Sequence, residues 1–161
     1  MLARSWRWLE LFLEGVISIC LLAMTALTVV DVAGRYFFNA PLKGGFEISE
    51  LLMGLTVFAS LPLATRAESH LAIGLLTDRL TGGARRAHRI VILIVTVLAL
   101  AFIGWRMGVQ ADIMMASKAS SGSLQLTLWP FARVMSVLGW ISAAVALVLT
   151  ARALAGLDRD A

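Results

Sequence analysis

The residues of this sequence that could do chemistry are few and fall into small groups. Glu10 and Glu14 stand one helical turn apart at the start of an apolar run, so their carboxylates share one helix face. A carboxylate inside a membrane helix could couple proton movement to transport, and one reading is therefore a stand-alone proton-coupled transporter working through Glu14. Glu47 and Glu50 open a second apolar run at three-residue spacing, again on one face, where the helix dipole favours acids and Ser49 could cap the start. Arg35 closes the preceding run. An antiparallel hairpin would bring it to one of these two glutamates.

Catalytic constellations are missing from the remainder. His70 and His88 lie between the second and third apolar runs, so opposed histidines cannot clamp a haem within a membrane. The sequence holds no phosphate-binding glycine loop, no Ser-His-Asp set and no His-carboxylate cluster with metal spacing. Cys20, the single cysteine, lies within the first apolar run and permits neither an internal disulfide nor a cysteine-based metal site. The expectation is a protein that is not an enzyme and uses no cofactor and no metal.

The elements that must position these groups follow from composition. Of 161 residues 60% are hydrophobic, and the mean hydropathy is +0.87. Soluble domains carry roughly 45–50% apolar residues, and a small core cannot hide such an excess from water, so a bilayer must cover it. A hydrocarbon core about 30 Å thick needs about 20 helical residues. Spans are expected over roughly 11–33, 47–66, 89–109 and 131–153, giving an all-α integral membrane protein of four transmembrane helices in a single membrane domain over residues 1–161. Arg4 and Arg7 before the first run resemble the start of a signal peptide, but that run exceeds the roughly 7–15 residues of a signal core and reads as a span.

Lys and Arg set the orientation. Nine of them (Arg4, Arg7, Arg66, Arg79, Arg85, Arg86, Arg89, Arg152 and Arg159) fall at the two termini and the middle connection, against Arg35, Lys43, Arg106, Lys118 and Arg133 on the other side. The positive-inside rule then predicts cytoplasmic N- and C-termini. The net charge of +4 thus reads as a topology signal, and no nucleic-acid partner is expected. Trp6, Trp8, Trp105 and Trp129 sit where an interfacial aromatic belt belongs. Pro62 should kink or weaken the end of the second span. Gly104 with Gly108, and Ser136 with Gly139 and Ala143, form small-residue stripes suited to close helix packing.

The stretch from Asp31 to Asp78 carries more than span signals. Arg35-Tyr36-Phe37-Phe38-Asn39 followed by Pro41 is similar to an arginine-tyrosine-x-phenylalanine-asparagine element. Glu47 and Glu50 then open the next helix, Arg66 and His70 close it, and Leu128-Trp129-Pro130-Phe131 with Arg133 leads into the last span. These features resemble the small membrane subunit, often called DctQ-like, of tripartite ATP-independent periplasmic (TRAP) transporters. Thr127 departs from the pattern, standing where a proline is common.

The resemblance implies a noncatalytic small subunit of a secondary transporter in the bacterial inner membrane. Its partners would be a large membrane subunit carrying the substrate and sodium sites, a periplasmic substrate-binding protein and the lipid bilayer, and the cargo an organic acid. It further implies interface or structural roles for Arg35, Tyr36, Asn39, Pro41, Glu47, Glu50, Arg66, His70, Trp129 and Pro130. Arg35, Asn39 and Glu47 are expected to tie the first two helices together at the periplasmic end, with Arg66 and His70 doing the same at the cytoplasmic end. A membrane anchor for an oxidoreductase complex is the other alternative.

Overall fold

A computed structural model describes residues 2–67 and 83–155. Four helices account for nearly all of them: α1 (Leu2–Phe38), α2 (Gly45–Arg66), α3 (Gly83–Ala116) and α4 (Trp129–Ala155). Each is long and apolar enough to cross a bilayer. Three of them outrun the expected spans at both ends. α3 in particular continues for ten residues past Arg106, and it begins early enough to take in His88, which was expected to lie in a connection. His70 and Arg79 lie outside the described residues.

α2 starts at Gly45 with Gly44 in the N-cap position, so Ser49, expected as a cap, instead sits a turn inside the helix. Pro62 is fully buried and α2 runs on past it to Arg66. α4 starts at Trp129-Pro130, where the missing proline amide belongs to the first turn and costs no helical bond.

The helices pack as a chain of neighbours. α3 and α4 share the most extensive interface, α2 leans on α4, and α1 leans on α2. For α3 and α4 the reason is side-chain size. An added Cβ at Gly139 would come within 2.9 Å of the Gly104 Cα, so here backbone lies against backbone. The buried Ser136 hydroxyl donates to the Gly104 carbonyl at 2.7 Å, one turn away. Leu100, Ala143 and Ala146 continue the seam, with Leu61 of α2 packed against them. The two small-residue stripes therefore face each other.

Hydroxyls within the helices are satisfied locally, since an unpaired one is costly in hydrocarbon. Thr25, Thr28, Thr56, Thr96, Ser142 and Thr150 each donate to the carbonyl four residues earlier, at 2.8–2.9 Å. Large apolar side chains point outward along every helix, and α1 is the least covered.

The Gly104–Gly139 crossing can be tested with a methyl group. Gly139→Ala should destabilise the bundle by about 1–3 kcal/mol through overpacking, read as a lower unfolding midpoint in detergent. Gly15→Ala, with open space around its Cβ, should hold or raise that midpoint by up to about 1 kcal/mol, because alanine is the better helix former. Equal shifts for both would contradict the crossing.

Candidate functional site

Charged side chains gather at the two ends of the bundle. The end holding the α1–α2 and α3–α4 connections is called distal below, and the end holding the N-terminus proximal.

At the distal end α1 stops with Asn39 in the left-handed region (φ 50°), a conformation that asparagine tolerates better than most residues. The turn lets the Ala40 amide donate back to the Gly34 carbonyl at 3.0 Å. Pro41 follows, as expected beyond a helix end. Arg35 pairs with Asp31 of its own helix at 2.7 Å, not with Glu47 or Glu50. The other Asp31 oxygen accepts from the Leu42 amide at 2.8 Å, so this carboxylate holds the α1–α2 connection against α1. Asp31 was not singled out from the sequence, although its four-residue spacing from Arg35 is the usual signature of a helical ion pair.

Glu47 does a different job from the one expected. Its carboxylate accepts from the backbone amides of Ser123 (2.6 Å) and Leu124 (3.1 Å) in the α3–α4 connection, and from the Ser121 hydroxyl. The Ser121 oxygen in turn accepts from the Leu126 amide at 3.2 Å. That connection is itself a small hairpin, bridged between Ser120 and Thr127, the position where the sequence departs from the pattern. Gly44, at φ 77°, lies under the Leu124 side chain, which fills the space any Cβ would need. Glu47 thus ties α2 to the second distal connection, while Asp31 ties down the first. Glu50 is exposed and has no ion-pair partner among the described residues. Arg133 closes the set by pairing with Asp112 of α3 at 2.5 Å, next to Trp129 and Pro130.

Around these polar contacts the distal surface is aromatic. Tyr36, Phe37, Phe38 and Phe46 are each about four-fifths exposed, consecutively at the end of α1 and at the start of α2. At the proximal end Arg66 of α2 forms an ion pair with Glu10 of α1, and its guanidinium lies over the Trp6 ring at 5.3 Å. Glu14 lies on the exposed side of α1.

This arrangement defines a class: a four-helix membrane protein with a close-packed seam of small residues and polar contacts concentrated at its ends. Residues 24–157 match the family described as tripartite ATP-independent periplasmic transporters, DctQ component, and the chain belongs to that family. It is a TRAP small permease subunit, a multi-pass protein of the inner membrane. Among curated relatives it is similar to the ectoine TRAP transporter small permease protein TeaB of Halomonas elongata, 33% identical over 92 residues. That match covers 56% of this chain and 48% of the relative, so the chain spans about half of the relative's length.

The Glu47 contacts carry a direct test. Glu47→Ala should release the Ser123 and Leu124 amides, raising their hydrogen-exchange rates about tenfold or more, while Glu50→Ala leaves both unchanged. Equal protection in the two variants would show that Glu47 does not hold the connection.

Proposed function

We propose that this chain is a noncatalytic subunit that braces the large membrane subunit of a TRAP transporter and adds to the docking surface for the periplasmic binding protein. The distal end is then periplasmic and both termini cytoplasmic, in line with the Lys and Arg distribution. Uptake is driven by sodium through the large subunit, and the cargo is an organic acid. The similar small permease protein TeaB is named for an ectoine TRAP transporter.

The observation that carries the reading is the division between interior and exterior. The interior is filled by backbone contact and small side chains along Gly104, Ser136, Gly139 and Ala143, a packing that resists deformation. The exterior is broadly apolar on every helix, and α1 has most of its surface free for neighbours. Glu14 faces outward, one turn from Glu10 and the proximal interface, which suits an interfacial anchor better than a proton path through the bundle. Arg35, Tyr36, Asn39 and Pro41 shape the first periplasmic connection, and Glu47, Trp129 and Pro130 the second. Together they hold both connections in one arrangement for the binding protein to meet. Glu50, exposed beside them, is available to that protein. Arg66 fixes the cytoplasmic end, and a supporting role there is proposed for His70, four residues on in the sequence.

Reconstitution tests this. Liposomes holding the chain alone should take up no solute under either a proton or a sodium gradient. Liposomes holding it with the large subunit should take up solute when the binding protein and sodium are supplied. Uptake by the chain alone would overturn the proposal. In the full system Arg35→Ala should lower the yield of assembled complex, since it leaves Asp31, which holds the first connection through the Leu42 amide, without its ion-pair partner. An intact and fully active complex would remove Arg35 from this role.

A further inference from the structure

The two distal connections are latched in the same way, each by a helix carboxylate that accepts from backbone amides. Asp31 takes the Leu42 amide of the first, and Glu47 takes the Ser123 and Leu124 amides and the Ser121 hydroxyl of the second. Among the described residues, every hydrogen bond from the hairpin between α3 and α4 to α1 or α2 ends on Glu47. The others close within the hairpin, as Leu126 does on Ser121 and Leu128 on Ala119, or onto the end of α3, as Ser117 does on Ile113. Without the Glu47 carboxylate, only packing would hold the hairpin to α2.

That packing is the seat of Leu124 on Gly44, and Gly44 stands between the two latches, two residues after Leu42 and three before Glu47. The segment joining them is short and stitched to itself. The Gly45 amide donates to the Leu42 carbonyl at 3.2 Å, and the Ile48 amide to the Gly44 carbonyl at 3.1 Å. A Cβ at Gly45 would meet the Leu42 side chain at 3.2 Å. Gly45 is buried in this segment, as Ser121 is in the hairpin. Residues 42–48 therefore have little room to shift at one end without shifting at the other.

Gly44 lets a disturbance run both ways. It sits at φ 77°, with the Leu124 side chain filling the space beside its Cα. Once the hairpin leaves, nothing on that side confines a residue with the widest backbone freedom of all, and the aim of the Leu42 amide at Asp31 is lost. In the other direction, a first connection released from Asp31 moves Gly44 against Leu124, whose own amide is on Glu47.

We infer that the two distal connections open and close as one unit, with the Leu124–Gly44 contact as the joint between the Asp31 and Glu47 latches. Releasing either carboxylate loosens the connection held by the other, and the coupling is reciprocal. Arg35, through its pair with Asp31, bears on the hairpin by the same route. In the function proposed above, a partner that meets one connection thus acts on both. The coupling itself rests on the contacts alone.

Hydrogen exchange on the full chain in detergent tests the joint. The Leu42 amide reports the first connection, Ser123 the second and Ala143 the seam between α3 and α4. Asp31→Ala should speed exchange at Ser123 about fivefold or more although Glu47 is intact, and Glu47→Ala should do the same at Leu42. In a Leu124→Ala background these cross effects should vanish, while each carboxylate variant still releases its own amides. Ala143 should keep its protection throughout. Cross effects that are absent, or that survive Leu124→Ala unchanged, would overturn the inference. Acceleration shared by Ala143 would overturn it too, since the opening would then be that of the whole bundle. None of these outcomes bears on assembly with the large subunit, so the subunit role stands or falls separately.

Discussion

Backbone contact between α3 and α4 at Gly104 and Gly139 is the interaction from which the rest of the bundle hangs. In hydrocarbon the hydrophobic effect does not drive helices together, so association depends on close packing and on polar contacts between helices. Glycine at both sides of the crossing allows the approach, and the Ser136 hydroxyl on the Gly104 carbonyl fixes its register. α2 then rests on α4, and α1 packs chiefly on α2. The order of packing explains why α4 is the most covered helix and α1 the least.

Because the seam is built from small residues, it leaves the large ones outside. Leucine, valine, phenylalanine and tryptophan side chains line the exterior of all four helices. For a chain that worked alone this would be an ordinary lipid-facing surface. In the proposed role it is also the surface that meets the large subunit. The polar contacts complement it by acting at the ends: Asp31 and Glu47 each hold one distal connection through backbone amides, and Arg66 joins α1 to α2 at the other end.

Much of this architecture could be read from the sequence, and the reasons differ from place to place. The four spans were legible because bilayer thickness dictates their length. The packing stripes were legible because small residues at three- and four-residue spacing share one helix face and let a neighbouring backbone approach. The partner of Glu47 was not. Two of the donors to its carboxylate are backbone amides 76 and 77 residues away, and no residue type marks an amide as available. Arg35 was expected to reach across the hairpin to a glutamate, but Asp31 lies on the same helix at a spacing that costs less conformational freedom. Asn39 shows the opposite case, where a residue noted only as part of a resemblance has a local task, the left-handed turn that ends α1.

The central claim is that this bundle braces a larger membrane protein, and binding to a folded state must raise that state's stability. The most direct measurement is the melting temperature of the large subunit in detergent, followed with and without this chain at saturating concentration. A rise of several degrees on addition of the chain is the predicted result. An unchanged melting temperature, with the two proteins shown to be mixed at that concentration, would contradict the account.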